Sequence, residues 1–329
     1  MSKKRDIKEE RIVYKPFEYP EAHDYWLKQH QAHWLHTEVP MMSDVNDWKQ
    51  NLTVNEKNIV GSILKGFAQT ETVVNDYWTN LVTSWFRKPE IIKMAVTFGA
   101  FETIHAEAYS LLNEELGLDN FSEFLEDEAT MAKIQALMDV RDSHNGEPDW
   151  SARAKSLAIF SAFTEGVNLF SSFAILLSFK LQNKLKGVGQ IVEWSIRDES
   201  LHSEAGCWLF RQLMVENPDL NTPELRIEIE EAAKLSLKLE LGFIDKVYAM
   251  GDLEGCSKYD LVSFIKYRVN TKMQDLGYDS IVNGIDAASI KRMKWFDSLS
   301  AGKQHSDFFA VRVTNYSKGV QNWDVNDLF

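Results

Sequence analysis

The chain has 329 residues, a formal net charge of −13 and two cysteines, Cys207 and Cys256. Such an acidic chain repels a phosphate backbone, so nucleic acid is not an expected partner. Two cysteines provide no disulfide framework, which favours a reducing compartment, the cytoplasm. The low numbers of Gly (16) and Pro (7) favour long helices over strands and turns.

Residues 1–20 are predicted to form an irregular arm without an apolar segment of signal-peptide length. Residues 37–52 and the chain after Trp295 are also predicted to be irregular. Thr53-x-x-Glu56 is a capping box and predicts the start of a long helix. The predicted helices are 21–35, 53–86, 89–117, 120–141 (one helix or a pair), 150–183, 187–215, 222–250 and 258–276. No linker divides the chain, so one all-α domain is expected.

The stretch 156–179 is apolar along most of its length and carries one acidic residue near its middle, Glu165. A helix that is apolar on nearly every side either spans a membrane or lies at the centre of a large core. No second such stretch accompanies it, so we predict a core helix and no membrane association. Because an isolated carboxylate in such a core is costly, Glu165 is expected to meet a cation or a hydrogen-bond network.

Two Glu-x-x-His units occur on separate predicted helices, and residues three apart lie on one helix face. Either unit alone is a weak signal, because such pairs are more often solvated or capping. Together with one Glu from each of two further helices, they match the donor set of ferritin-like dinuclear metal sites. The predicted metal ligands are Glu71, Glu102, His105, Glu165, Glu199 and His202.

Carboxylate and imidazole donors without thiolates suit a pair of Fe or Mn ions. Asp198 precedes Glu199 and is a candidate acceptor for the second N–H of a bound imidazole. Tyr109 follows His105 by four residues on the same face, where a core tyrosine and a redox tyrosine both remain open. A further histidine group is predicted to be a partly exposed helix end rather than a metal site; it comprises His30, His33 and His36.

At these residues the sequence resembles the small, radical-generating subunit of class I ribonucleotide reductase, from about Trp34 to Tyr316. The most specific segments are 195–202 and 101–105 with Tyr109. The resemblance implies a ferritin-like helical bundle with additional helices, usually a homodimer. It also implies a dinuclear metal centre of Mn and/or Fe, with two ions per chain, held by the six predicted ligands.

The resemblance assigns further roles to individual residues. Tyr109 matches the tyrosine that holds a radical in many members, and Trp34 and Asp198, with His105, match the start of an electron path. Tyr316 matches the residue that passes the radical towards the large (alpha) subunit. Residues 321–329 resemble the tail that docks on that subunit, so we expect a dimetal domain over 1–305 and a flexible docking tail over 306–329.

Two positions depart from the family pattern. Glu71 stands where most members have aspartate, which resembles manganese-using subgroups that can store the oxidising equivalent on the metals. Ala310 stands where the family often has glutamate, which puts the usual proton acceptor of Tyr316 in question.

The expected function is that of the small subunit of ribonucleoside-diphosphate reductase, an oxidoreductase active only with its large subunit. It would store an oxidising equivalent, as a high-valent metal or a tyrosyl radical, for ribonucleotide reduction. An activating flavoprotein is a candidate further partner. The alternatives are a ferritin-like ligand-binding oxidase or hydroxylase, which needs a cavity for an organic substrate, and a non-enzymatic metal storage protein.

Overall fold

The structure, a computed structural model, describes residues 5–118, 120, 122, 126–142 and 149–300. Within these residues every regular element is helical, which confirms the predicted all-α class. The α-helices are α1 (Pro20–Gln31), α2 (Met42–Asn46), α3 (Val54–Asp76), α4 (Thr83–Trp85), α5 (Pro89–Glu115), α6 (Glu128–Asp142), α7 (Trp150–Ile159), α8 (Phe170–Leu181), α9 (Lys186–Glu216), α10 (Pro223–Ala249), α11 (Lys258–Asp275), α12 (Ala287–Arg292) and α13 (Lys294–Ser300).

Most predicted boundaries are confirmed to within a few residues. Helix α3 begins after Thr53, whose hydroxyl accepts a hydrogen bond from the Glu56 N–H at 3.2 Å. The Glu56 carboxylate accepts the Thr53 N–H at 2.7 Å, which completes the predicted capping box. A π-helical segment, Tyr77–Val82, joins α3 to α4, so this helical run ends at Trp85 as expected.

Two predictions of irregular structure are wrong. Residues 37–52 contain α2 and a π-helical turn, Asp47–Asn51, and α13 continues to Ser300 beyond the predicted end at Trp295. The short helix α2 is held in place by contacts with α9. The carboxylate of Asp44 is fully buried and accepts the N–H groups of Gly187 and Val188 at the start of α9, at 3.0 and 2.8 Å.

The predicted continuous helix over 150–183 is also wrong, because the chain leaves α-helical geometry around Glu165. Helix α7 is followed by a π-helical segment, Phe160–Thr164, and α8 begins only at Phe170. The Glu165 N–H donates to the carbonyl of Phe160, five residues back, at 3.0 Å. Such wide turns are often found at functional sites. The intervening residues 165–169 form an irregular turn inside the core.

Helices α3, α5, α8 and α9 surround this core. Every residue from Phe170 to Phe179 on α8 is buried, as expected for a helix at the centre of a large core. Outside this group, α6, α10 and α11 form further layers, so the arrangement is the predicted ferritin-like bundle with additional helices. In the described part of the chain, no helix is both long enough and apolar enough to cross a bilayer.

The N-terminal arm fastens α1 onto α5 and α9. The Glu90 carboxylate, at the start of α5, accepts the backbone N–H groups of Glu18 and Tyr19 at 2.9 and 3.1 Å. The Tyr19 hydroxyl donates to Glu216, at the end of α9, at 2.8 Å. These contacts place α1 and the residues after it against the two helices that carry the Glu-x-x-His units.

Candidate metal centre

The structure brings the six predicted ligand residues together in the middle of the bundle. They come from α3, α5, the turn after the π-helical segment, and α9, and none is more than 2% exposed. The six are Glu71, Glu102, His105, Glu165, Glu199 and His202. Residues from four distant segments therefore present acidic and imidazole groups to one interior space.

The ligand atoms fall into two overlapping groups, in each of which the atoms lie within 4.8 Å of one another. Site A consists of Glu71, Glu102, His105 and Glu199. Site B consists of Glu102, Glu165, Glu199 and His202. The two sites share Glu102 and Glu199, so these two carboxylates would help to hold both ions of a bound pair.

The imidazoles point their Nδ1 atoms at the shared carboxylates. His105 Nδ1 lies 3.0 Å from Glu102 Oε2 and 3.1 Å from Glu199 Oε1. His202 Nδ1 lies 2.7 Å from Glu102 Oε1 and 3.8 Å from Glu165 Oε2. The ring centroids are 6.3 Å apart, so each imidazole serves one of the two sites.

The second nitrogen of each imidazole is fixed by a hydrogen bond away from the centre. His105 Nε2 lies 3.1 Å from the carboxylate of Asp198, which is placed to accept a hydrogen bond from this ring nitrogen. Asp198 also accepts the Trp34 indole N–H at 2.8 Å, and the Trp34 ring stacks on His105 at a centroid distance of 5.7 Å. Although burial opposes it, contact with Glu102, Asp198 and Glu199 raises the pKa of His105 well above its ordinary value, and a cation at site A would take the place of the Nδ1 proton.

Sequence reasoning missed Gln29, which performs the same task for His202. The Gln29 amide donates to Asp198 at 2.8 Å, so its oxygen is left to accept the N–H of His202 Nε2 at 3.1 Å. The side chain is fully buried although α1 carries few other buried residues. A polar residue at a buried position of α1 was the one available signal, and it did not identify the partner.

Trp78 is a second residue that sequence reasoning missed. Its indole N–H donates to Glu165 Oε1 at 2.5 Å, and its ring contacts Phe98 and Phe160. The side chain is completely buried. One Glu165 oxygen is thereby held by Trp78, and the other faces His202 and site B.

Tyr109 lies where the i+4 spacing predicted, one turn from His105 on α5. The two ring centroids are 6.3 Å apart, and the Tyr109 ring packs on Phe67 at 4.8 Å. Burial, followed by the nearby Glu71 carboxylate, raises the pKa of Tyr109 well above its ordinary value. The phenol is therefore kept in its protonated form beside site A.

The electrostatics of the six residues are set by burial and by their mutual contacts. Burial and the charge of Glu102 raise the pKa of Glu71, and burial and Glu199 raise the pKa of Glu165. Burial and the charge of Glu102 raise the pKa of Glu199 to about 7. Burial also opposes ionisation of Glu102, but His202 and His105 outweigh it and lower the pKa to about 2.

Several of these buried atoms accept no hydrogen bond from the residues that the structure describes. They are both oxygens of Glu71 and the Oε2 of Glu165, whereas Glu102 Oε1 and Glu199 Oε1 lie 2.7 and 3.1 Å from the imidazoles of His202 and His105 without hydrogen-bond geometry. Buried acceptors without donors are costly, and carboxylates even more so. All of them face the shared interior space, so the donor set fits two cations.

A family comparison agrees with this geometry. The sequence profile described as "Ribonucleotide reductase, small chain" matches residues 11–287. The chain belongs to this family. A probable ribonucleoside-diphosphate reductase small subunit of Invertebrate iridescent virus 3 is 33% identical over 96% of this chain and 86% of its own length. A ribonucleoside-diphosphate reductase subunit beta of Chlamydia pneumoniae is 26% identical over 94% of this chain and 91% of its own.

Solved structures related to the ribonucleotide reductase small chain share the fold. A putative class I ribonucleotide reductase from Bacillus halodurans superposes with a TM-score of 0.78 at 20% identity, over 85% of this chain and 99% of that one. The dimanganese(II) NrdF protein of Streptococcus sanguinis gives a TM-score of 0.73 at 20% identity, over 87% and 99%. The predicted fold class is therefore confirmed.

Some residues named from the sequence lie outside the described part of the chain. These are Tyr316, Ala310 and the predicted tail over 306–329. Of the three histidines named from the sequence, His30 lies in α1 and His33 and His36 follow its end at Gln31; His30 and His33 are exposed, and His36 is half-buried.

Proposed function

We propose that sites A and B each hold one metal ion and that the pair generates the oxidising equivalent for ribonucleotide reduction. As a member of its family, the chain is the small subunit of ribonucleoside-diphosphate reductase, an oxidoreductase. The observation that carries the metal proposal is the overlap of two four-residue donor groups that share Glu102 and Glu199. An apolar interior would otherwise have to accommodate several buried carboxylates without compensation.

The proposed ions are manganese or iron, in any combination of the two. Oxygen and imidazole donors suit both elements, and neither the donor types nor their spacing separates them. When bound, the pair supplies one-electron oxidation chemistry. The protein supplies the rest: Asp198 and Gln29 hold the imidazole protons away from the ions, and the apolar wall around Glu165 excludes water.

For the path of the oxidising equivalent, the contacts of Trp34 support the proposal. The indole is 3% exposed, hydrogen-bonds Asp198 and stacks on His105, so one continuous set of contacts joins site A to Trp34. We propose that electrons move through these residues and that Tyr316 continues the path to the large subunit. Tyr109, close to Glu71 and His105, is the proposed alternative holder of the oxidising equivalent.

The proposed partners are the large subunit, which would bind the tail over 306–329, and a second copy of this chain. The tail sequence Gln-Asn-Trp-Asp-Val-Asn-Asp-Leu-Phe at 321–329 mixes apolar and acidic residues, as expected for a segment that orders on a partner groove. The expectation of an activating flavoprotein rests on the resemblance alone.

Metal analysis combined with electron paramagnetic resonance on the active protein tests the metal proposal. We expect two ions per chain and a signal from either an organic radical or a coupled metal pair. Tyr109→Phe then separates the two: activity persists if the metals hold the oxidising equivalent and is lost if Tyr109 does. A fully active protein with one ion or none per chain would contradict the proposal.

Truncation after Lys318 tests the docking role of the tail. The shortened chain keeps every residue of sites A and B, so its metal content should equal that of the full chain. Reductase activity with the large subunit should be lost, because the apolar residues that would bind the partner groove are removed. Intact activity at equal metal content would contradict the docking proposal alone.

An oxidase or hydroxylase would need room for an organic substrate at the metals. A cavity of about 390 Å³ lies between α6, α7 and α10 and is lined by Phe163 and Thr164 among others. Of the residues that the structure describes, none of the six in sites A and B lines this cavity. The separation of this cavity from the six residues favours the function of a reductase small subunit over that of an oxidase or hydroxylase that binds its substrate at the metals.

A further inference from the structure

The irregular turn after Glu165 leaves backbone carbonyls that the helix does not use. The Phe170 N–H donates to the carbonyl of Val167 at 3.0 Å, instead of to Gly166 four residues back. The Gly166 carbonyl instead accepts two hydrogen bonds from the guanidinium of Arg268 on α11, from Nε at 3.0 Å and from Nη2 at 2.8 Å. The backbone carbonyl directly after Glu165 is thus hydrogen-bonded by a cationic side chain from another layer of the fold.

Arg268 is held in place by aromatic side chains. Its guanidinium carbon lies 3.3 Å from the ring centroid of Phe170 and 5.8 Å from that of Phe264. Burial lowers the pKa of Arg268 to about 9, and the group still carries its charge at neutral pH. The planar, stacked guanidinium is therefore a fixed double donor for one carbonyl.

A second cation acts on the other end of the same turn. Lys133 on α6 donates to the carbonyl of Asn168 and pairs with the fully buried Glu240 on α10. Glu240 also accepts the hydroxyl of Ser171 on α8. The Asn168 amide oxygen accepts the Ser236 hydroxyl at 2.8 Å, so α6 and α10 jointly hold the turn.

We propose that Arg268 and Lys133 are positioning residues that keep the turn over 165–169 in its wide, non-α-helical form, so that the Glu165 carboxylate is aimed at site B. The two donors act on carbonyls one residue and three residues after Glu165. A buried carbonyl without a donor is costly, so losing either cation favours a shift of the turn towards regular helix. Such a shift changes the direction in which Glu165 leaves the backbone.

This inference rests on the proposed role of Glu165 as a metal ligand. It adds a function for the helices outside the central bundle, because α6, α10 and α11 contribute no residue to sites A and B. It also predicts an asymmetry: site A, whose own residue Glu71 lies on the regular helix α3, should not depend on either cation.

The test is to titrate the metal-free full-length protein with Mn²⁺. The concentration of unbound Mn²⁺ is measured at each step from its electron paramagnetic resonance signal. The wild type should bind two ions per chain. In Arg268→Leu and in Lys133→Met, one ion should bind about tenfold or more weakly, as is typical when an outer partner of a ligand is removed. The other ion should keep its affinity. Arg268→Lys, which retains a charged donor, should restore part of the loss.

Two matched controls remove the same kinds of side chain from ion pairs elsewhere. Lys246→Met takes a half-buried lysine from its pair with Asp127, and Arg292→Leu takes an arginine from its pair with Asp260. Neither side chain contacts the turn over 165–169, so both controls should bind two ions as the wild type does. A loss of affinity in the controls equal to that in the test variants would overturn the positioning role.

The Lys133→Met variant strands the charge of Glu240, so a double variant with Glu240→Gln keeps the network neutral if the single variant does not fold. Folded variants that bind both ions with wild-type affinity overturn this inference and leave the metal proposal standing. A wild-type protein that binds fewer than two ions overturns the metal proposal itself. The two failures are therefore distinguishable.

Discussion

Sites A and B use the same types of donor, but their two unshared glutamates stand on different kinds of backbone. The residue specific to site A, Glu71, projects from the interior of α3, and its imidazole partner His105 from the middle of α5. Of the two residues specific to site B, His202 lies on the regular helix α9 and Glu165 lies at the junction of a π-helical segment and a turn. The backbone of Glu71 is fixed by the hydrogen bonds of α3 itself, whereas the backbone of Glu165 depends on tertiary contacts.

This difference shows where the fold leaves freedom for a ligand to move. Trp78 holds one oxygen of Glu165, and the turn that carries this residue is bonded to side chains from outer helices. The turn that carries Glu165 is therefore held by side-chain contacts, and a movement of Glu165 would break these contacts without breaking a regular helix. In site A, a comparable movement would require the interior of α3 to break.

The largest effect is expected where the two sites overlap. Glu102→Gln removes one of the shared carboxylates, and an amide is a weak ligand for Fe or Mn, so both ions should be lost. Elemental analysis after loading and desalting would measure this. Glu193→Gln is the matched control, because Glu193 is also a buried acidic residue and pairs with Lys180 at 2.8 Å instead of facing the centre. Retention of both ions in Glu102→Gln would contradict the shared geometry.

A smaller effect, on one ion, is expected from removing a residue specific to either site. Glu165→Ala should leave one ion per chain, held at site A, and the protein should fold because a costly buried carboxylate is removed with it. Glu71→Ala should leave the other ion, at site B. Two ions per chain in either variant, by elemental analysis, would show that the residue is not a ligand.

The close packing around Gly166 offers a test of the turn itself. A Cβ atom there would lie 2.3 Å from the Ala162 carbonyl and 2.7 Å from the Lys272 side chain. Gly166→Ala should destabilise the metal-free protein by about 1–3 kcal/mol, as expected for overpacking, and weaken site B.

Gly242→Ala, on α10, is the control for this substitution. A Cβ atom at Gly242 meets nothing within 4 Å, so alanine should stabilise the protein by up to about 1 kcal/mol. Urea unfolding of both variants measures the difference. Equal stability of the two would contradict the constraint on Gly166.

The smallest effect is a dependence on pH. The pKa of Glu199 is raised from 4.5 to about 7 by burial and by Glu102, so its contribution to the stability of the metal-free fold is lost as the pH rises towards 7. Metal binding needs the ionised form, so the rise in Tm on loading should be larger at about pH 8 than at about pH 5.5. Melting curves with and without Mn²⁺ measure this. A constant rise across that range would contradict it.

The helices and five of the six proposed donors could be predicted from local signals, whereas Glu71 was selected only by comparison with the known four-helix donor set. Glu102 and His105, like Glu199 and His202, share a helix face through a three-residue spacing, and Thr53 and Glu56 mark a helix start in the same local way. Glu165 was conspicuous because its neighbours are apolar. None of these predictions required knowledge of how the helices pack.

The contacts that orient the donors could not be predicted, because they join residues far apart in the chain. Gln29 is 173 residues from His202, and Trp78 is 87 residues from Glu165. The wide turn after Glu165 was also missed, because the cations that bind its carbonyls come from the distant helices α6 and α11. The turn contains no proline that would have marked it in the sequence. Local sequence predicts the donors, and the surrounding tertiary structure decides their direction.

The sharing of Glu102 and Glu199 has a consequence for the order in which the two ions enter. A first ion would neutralise part of the charge of both sites, and Glu102 and Glu199, which would hold it, would then be ordered for a second ion. Filling is therefore expected to be sequential and coupled, with the rigidly built position occupied first. A half-loaded chain would then be a defined intermediate, in which a different element could take the second position.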